Sequence, residues 1–382
     1  MTRGSVLISG ASIAGPALAF WLNRYGFEVT LVERAEGIRR GGQAVDFKGP
    51  IHLAVLKKTG VLDAIRRASV PSEDGTIVDA TGRRIGVVPG RFAGGEINIP
   101  RGDLASILYD LTAARCEYVF GDTITSIVQT ESYVEVAFAR EKPRTFDLVI
   151  GADGIHSNVR RLAFGPEADY VTYLGYLYAQ VRLEAGDDDV MYNEPGRMAA
   201  LGGSKAPAFF VFASDPLSGA RDDAAAQKRV LMDAYRGGRW RLPELMGKVP
   251  GAEEFYMDAI SRVTVDRYAR GRVALLGDAA YGNALGGFGT GLAIVGAYVL
   301  AGEIYNASGD HDEAFAQYDS RFRGYASVSQ KINAGRLLAP STRLGIRARN
   351  ILFSSLAAFG PLMALMDRPA SNLKLLDYDA GG

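Results

Sequence analysis

The sequence predicts an α/β fold: a Rossmann-like nucleotide-binding domain carrying an inserted β-rich domain, followed by a C-terminal helical region. Three observations predict it. A short apolar strand runs into the glycine turn Gly10–Gly15, then a helix, then a second strand ending in Glu33. Two further strand ends, at Gly151-Ala-Asp153-Gly154 and at Gly277-Asp278, lie far downstream with aromatic, alternating segments between them. Helical spacing dominates from residue 311 on.

Val6-Leu7-Ile8-Ser9 has the continuous apolar character of a buried parallel strand. Ala17, Leu18, Phe20, Trp21 and Leu22 give helical spacing over 14–25, and Gly26 ends that helix. Val29-Thr30-Leu31-Val32 is the second strand, so one βαβ unit closes within ~30 residues. Residues 41–49 form a glycine-rich extended segment, and helices follow at 51–68. Residues 76–99 and 116–140 alternate as strands around turns, with a helix between them from Arg101 to Ala114. Phe146–Gly151 is another buried strand. Residues 170–183 and 207–213 are β-rich and aromatic, and Ala224–Tyr235 is a helix. Val273–Leu276 is a strand, Thr290–Tyr305 a long apolar helix, and 311–366 is expected to be helical to near its end. The apolar stretch Ile351–Met366 is expected as a buried or docking helix, since Ser354, Ser355, Gly360 and Pro361 interrupt it. These elements divide into a discontinuous nucleotide-binding domain (1–70, 101–170 and 265–305), an inserted domain (71–100 and 171–264) and a C-terminal helical region (306–382).

Composition narrows the function. The 43 basic and 43 acidic residues cancel, which argues against a nucleic-acid partner. Cys116 is the single cysteine, so no intrachain disulfide forms and a reducing cytoplasmic setting fits. His52, His156 and His311 lack metal-ligand spacing, so no metal is expected. The start of the chain lacks the regions of a signal peptide, and no membrane span is expected. A monomer or weak dimer is the expected state. Glycine is frequent at 46 of 382 residues, which points to tight turns and close approach to a ligand.

Three motifs carry chemistry. In Gly10-Ala11-Ser12-Ile13-Ala14-Gly15, Gly10 permits the turn out of the strand, Ser12 lets the backbone approach a pyrophosphate, and Gly15 lets helix and sheet pack closely. The helix that follows offers free N–H groups to phosphate. Glu33 stands 18 residues after Gly15, where an acid accepts hydrogen bonds from a ribose. Arg34 beside it either covers an adenine or is an ordinary surface arginine. In the second motif Asp153 either caps the next helix, with Ser157 and Arg160, or touches a ligand. In the third, Asp278 suits a chain of hydroxyls, and the glycine loop 286–291, with Gly289 and Thr290, opens a helix whose N-terminus favours negative charge.

Together, in this order and spacing, the motifs resemble those of the group A flavin-dependent aromatic hydroxylases of the p-hydroxybenzoate hydroxylase fold. Asn98-Ile-Pro-Arg101-Gly-Asp-Leu104 resembles the start of their arginine-bearing helix. The likeness extends over nearly the whole chain and is similar to compact bacterial members, including tetracycline-inactivating monooxygenases. It implies that the nucleotide is a bound FAD contacted by Gly10, Ser12, Ile13, Ala14, Gly15, Glu33, Arg34, Arg101, Asp153, Asp278, Gly289 and Thr290. It also implies NADPH or NADH as a transient reductant and O2 as co-substrate, with hydroxylation of an aromatic or polyketide-like small molecule through a C4a-hydroperoxyflavin. No catalytic side chain carries over from the resemblance. The inserted domain becomes the substrate domain, with Gln43, Tyr178, Met191, Phe210 and Phe212 as expected pocket residues. Phe210 and Phe212 share one face by strand alternation.

This chain departs from the family pattern twice. Tyr281 stands where the family carries histidine after Gly-Asp-Ala-Ala. Leu285-Gly286-Gly287-Phe288-Gly289 lacks the family's proline beside the flavin ring. Two other readings remain: an FAD-dependent oxidoreductase without oxygen insertion, and an FAD-containing ligand binder that is not an enzyme. Trp240-Arg-Leu-Pro243 differs from the W-x-W-x-I-P signature of flavin halogenases.

Overall fold

Val6, Leu7 and Ile8 are wholly buried because their strand, Ser5–Ser9, lies inside a six-stranded sheet. The computed structural model describes residues 3–39, 43–90, 95–186, 188–202, 206–217, 223–327, 329–355 and 373–378. Ser5–Ser9 pairs in parallel with Glu28–Glu33 on one side and Leu148–Gly151 on the other, and Val273–Leu275 pairs in parallel with Leu148–Gly151. Parallel strands covered on both faces need apolar residues on both faces, which accounts for these unbroken apolar runs. The consequence is functional. The three motif-bearing strands lie side by side, so their carboxyl ends share one edge of the sheet, where open α/β sheets bind ligands.

Helices Ala14–Arg24 and Gly289–Asn306 pack together, with Trp21 meeting Tyr298 edge-on at 4.9 Å. The second helix is apolar around most of its circumference and is buried for most of its length. His311–Ala326 covers its outer side, where Tyr318 and Phe322 stack with ring centroids 5.8 Å apart.

Among the described residues the inserted region holds a seven-stranded sheet. Its order is Phe255–Val263, Val171–Val181, Ala208–Ala213, Arg197–Gly202, Asp189–Glu194, Gly75–Val78 and Arg84–Val88. Register assigns its two faces. Leu177 pairs with Phe212 and Ala179 with Phe210, whereas Tyr178 pairs with Val211 and Asp258. Helices Ala224–Ala234 and Leu242–Lys248 cover the first face. Phe210 and Phe212 therefore share a face, but it is the closed one. Both are fully buried and pack edge-on against Tyr235 at 5.3 and 5.7 Å. The expectation that they line the substrate pocket is corrected. The alternation rule places residues together on a face without saying which face is covered.

Ile97–Pro100 lies outside this sheet and pairs antiparallel with Ala44–Phe47. That ribbon sets the start of helix Arg101–Thr112 beside the first glycine turn. Among the described residues the stretch expected to be helical from 311 on is helical in separate pieces. It breaks into His311–Ala326, Ala334–Leu338 and Arg343–Ser354, the last two begun by Asn333 and Thr342 as side-chain N-caps. Ile351 lies on the last of these and is 69% exposed, and the rest of the expected Ile351–Met366 helix extends into 356–372, outside the described residues. Among the described residues no helix is long and apolar enough to cross a membrane.

Candidate flavin site and the sheet face opposite

Gly10 adopts φ +104°, and a Cβ there would lie 2.5 Å from the carbonyl oxygen of Ala152. A Cβ at Gly15 would lie 1.9 Å from the carbonyl oxygen of Gly10. Both distances are impossible contacts, so each position requires glycine. Ile13 precedes the helix without a capping side chain, leaving the first-turn N–H groups at Ala14 and Gly15 free for an anion. Glu33 sits at the rim of this turn. Its Oε2 accepts from the Ala11 N–H and its Oε1 from the Ala35 N–H, each at 2.9 Å. The loop thus orients a carboxylate that keeps lone pairs free for sugar hydroxyls. Arg34 is exposed beside it.

Arg101 joins two segments. Its backbone N–H donates to the Gln43 carbonyl at 3.1 Å, and its guanidinium reaches Ser12 Oγ at 3.4 Å. Burial pushes the Asp278 carboxyl upward, and the nearby Arg101 guanidinium pulls it back. Gly289 lies against Asp278: a Cβ there would be 3.4 Å from its Oδ1. The helix Gly289–Asn306, like the first, has no side-chain cap, so Gly289, Thr290 and Gly291 present free N–H groups. The residues expected from three distant stretches of chain therefore converge at one edge of the six-stranded sheet.

Asp153 behaves differently. Its Oδ1 accepts from Ser157 Oγ, and its Oδ2 from the N–H groups of Asn158 and Val159 at 2.9 and 3.0 Å and from Ser9 Oγ at 3.3 Å. Between cap and ligand contact, its hydrogen bonds favour the cap. Arg160 is fully buried and donates to the Ile155 and Ala279 carbonyls at 2.5 and 2.9 Å. It ties the second motif to the third and so positions Asp278.

Neither departure from the family pattern disturbs this edge. Tyr281 is buried in an aromatic cluster with Tyr268 and Phe322 at 5.5 and 5.2 Å, under Gly296, where a Cβ would meet its hydroxyl at 2.3 Å. Leu285 adopts φ +59°, a left-handed backbone that costs a branched residue about 1–2 kcal/mol. Its side chain reaches across to the second face of the seven-stranded sheet.

That second face carries Tyr176, Tyr178, Met191, Met198 and Val211, packed with Leu285, Ala284 and Ile155 from the nucleotide side and with Ala339 and Phe353 from the C-terminal region. Tyr178 and Met191, expected from the sequence as pocket residues, both lie on this face. Gln43 and Asp46 lie on the ribbon beside Arg101. Asp46 forms an ion pair with Lys48 Nζ at 2.7 Å, and that ammonium lies 5.3 Å from the centroid of the Phe288 ring.

Three further groups near the site have no role expected from the sequence. His52 is buried under Gly291, and its Nδ1 accepts from the Lys48 N–H at 3.1 Å. Burial, and then Lys48, lowers its pKa to about 4. Arg349 is buried and donates to Asn193 Oδ1 at 2.6 Å and to the Leu337 and Leu338 carbonyls at 3.4 and 3.3 Å. Asp258 and His156 form a third group, 3.1 Å apart. His52, Arg349 and Asp258 stand alone in ordinary stretches, and His156, although inside the second motif, meets Asp258 only through the fold.

A cradle of two glycines that cannot carry a Cβ, two uncapped helix N-termini, a ribose-side acid and a second carboxylate fits FAD. When bound, FAD supplies the electron transfer that no side chain here provides. Comparison with known proteins agrees. The family model described as "FAD binding domain" matches residues 3–321. A flavin-dependent monooxygenase of Legionella longbeachae serogroup 1 (strain NSW150) is 36% identical over 85% of this chain and 87% of its own. The crystal structure of tetracycline destructase Tet(55) matches with TM-score 0.84 and 32% identity, over 99% of both chains. That of Tet(51) matches with TM-score 0.82 and 31% identity, over 98% of this chain and 99% of its own. The chain belongs to the FAD-binding domain family and is an FAD-dependent monooxygenase.

Proposed function

We propose that this monooxygenase hydroxylates a planar, hydroxyl-bearing aromatic or polyketide-like molecule held between the flavin and the Tyr178 face of the seven-stranded sheet. One observation carries the reading: Leu285, from the loop expected beside the flavin ring, packs in one cluster with Tyr178 and Met191. A flat apolar substrate suits a wall of aromatic and thioether groups. Glu33, Arg101, Asp278, Gly289 and Thr290 hold the FAD in this reading, and Asp153 supports the cradle from behind. NADPH or NADH reduces it transiently, and the protein works in the cytoplasm as a monomer or weak dimer. The two solved structures titled as tetracycline destructases make a tetracycline the first compound to try.

The test is NAD(P)H oxidation by the FAD-loaded protein under 18O2, with a panel of phenols, naphthols and tetracyclines. One labelled oxygen atom in the product, with the other leaving as water, is the expected result. Turnover without label would point to a dehydrogenase. No ligand-dependent flavin reduction by either nicotinamide would overturn both enzymatic readings.

A further inference from the structure

A cleft of about 450 Å³ opens at the turn between strands Asp189–Glu194 and Arg197–Gly202, and it shares no residue with the flavin cradle. Three arginines line it: Arg197 on the turn, Arg239 after helix Ala224–Ala234, and Arg343 at the start of helix Arg343–Ser354. Among the described residues that line it, Glu194 is the one carboxylate. Arg197 and Glu194 satisfy each other. Glu194 Oε2 accepts from Arg197 Nε at 2.8 Å and also from its Nη2. Oε1 accepts from the Tyr192 hydroxyl at 2.8 Å and from the Arg239 N–H at 3.1 Å. Arg197 Nη1 donates to the Ala234 and Arg236 carbonyls at 2.7 and 3.3 Å, which covers the negative end of helix Ala224–Ala234. The guanidinium of Arg239 stands off at 3.6 Å from Glu194, too far for a hydrogen bond. With Glu194 spent on Arg197, the charge left over the cleft is that of Arg239 and Arg343, both exposed.

We propose that this cleft binds a small phosphomonoester with a polar body, of the size of a sugar phosphate, between Arg239 and Arg343. A phosphomonoester carries about −1.5 to −2 charge at neutral pH, which matches two uncompensated guanidiniums. The planar guanidinium fork holds phosphate oxygens bidentately. The cleft lies within the ~300–1,000 Å³ of small-molecule sites, more than an inorganic phosphate fills. Polar atoms make up more of its wall than apolar ones, which suits hydroxyls on the body of the ligand.

The anion joins elements that already touch. The Gly196 N–H donates to the Pro340 carbonyl at 2.9 Å, and Asn193 Nδ2 to the Leu338 carbonyl at 2.8 Å. Arg343 occupies the first turn of its helix, which holds no acidic residue, so its charge faces the positive end of the helix dipole. A phosphate between Arg343 and Arg239 offsets that repulsion and clamps helix Arg343–Ser354 to the hairpin. Arg349 on the same helix donates to Asn193, two residues from Met191 on the Tyr178 face. The clamp therefore stiffens one wall of that face from a site that lies outside it.

The test is calorimetric titration of glucose 6-phosphate into FAD-loaded protein at low ionic strength, with glucose and inorganic phosphate as comparison probes. Saturable binding of glucose 6-phosphate is expected, with inorganic phosphate weaker and glucose silent. Arg239→Gln and Arg343→Gln should each weaken it at least about tenfold, since each removes a charged hydrogen-bonding partner. Hydrogen exchange over residues 343–354 of the wild type should slow when the sugar phosphate is bound. Absence of saturable binding, or wild-type affinity in either variant, would overturn the site. Inorganic phosphate that binds as tightly as the sugar phosphate would overturn the polar body of the ligand, and unchanged exchange would overturn the clamp. None of these readouts involves turnover, so their failure is distinct from a failure of the 18O2 test of the proposed function.

Discussion

The two faces of the seven-stranded sheet are built from alternate residues of the same strands, yet they do different work. One face is dry. Leu177, Ala179, Phe210 and Phe212 meet Leu231, Tyr235 and Leu245, and the polar group of Tyr235 is satisfied by the Met198 and Val211 carbonyls at 2.5 and 3.0 Å. The other face carries Tyr178, Asn193 and Asp258 among its apolar residues and meets the flavin loop through Leu285. The difference teaches that a strand declares which residues go together, while the elements packed against it decide which set becomes a site.

Phe210→Ala should break the contrast most visibly. It opens a cavity on the dry face and should cost about 3–5 kcal/mol in urea unfolding, with FAD affinity unchanged. If the variant lost FAD at full stability, the assignment of faces would be wrong.

His52 carries the same logic into the flavin cradle, as a group buried in its neutral form. Its pKa falls from 6.5 to about 4 on folding, so the unfolded chain binds the proton more tightly. Its neutral burial costs nothing above pH 6.5, and stability is lost as pH falls from there through about 4. The loss amounts to about 3 kcal/mol at 1.36 kcal/mol per unit. Denaturant midpoints at pH 7.5 and 4.5 should diverge for wild type and converge for His52→Gln. Parallel curves for the two proteins would contradict this.

Arg349 holds the C-terminal helices to the Tyr178 face. Arg349→Ala leaves Asn193 and the Leu337 and Leu338 carbonyls without their donor and should cost about 2 kcal/mol, with weaker substrate binding and unchanged FAD content. Unchanged stability would mean that water replaces the guanidinium at no cost.

The smallest effect on stability is expected from Tyr178→Phe, at about 1 kcal/mol or less. Its effect should appear in turnover. A variant with wild-type turnover would remove Tyr178 from the site.

Much of the nucleotide half was legible because phosphate recognition uses the backbone itself. Gly10 and Gly15 have no alternative residue, and Glu33 and Asp278 follow from strand ends. The substrate half was less legible. Tyr178 and Phe210 sit on strands of the same character, and only the helices Ala224–Ala234 and Leu242–Lys248 tell them apart. Asp153 was ambiguous because a cap and a ligand contact use the same carboxylate. His156 and Asp258 stand about 100 residues apart, and sheet register alone brings them together.

The central claim is that one cradle, assembled from sequence-distant segments, holds FAD. Its most direct test is flavin fluorescence quenching when FAD is titrated into apoprotein of the wild type, Glu33→Ala and Asp278→Ala. Each variant is expected to bind FAD at least about tenfold more weakly, as loss of a charged hydrogen-bonding partner costs ~1.5–3 kcal/mol, with the unfolding transition otherwise intact. Wild-type affinity in both variants would contradict it.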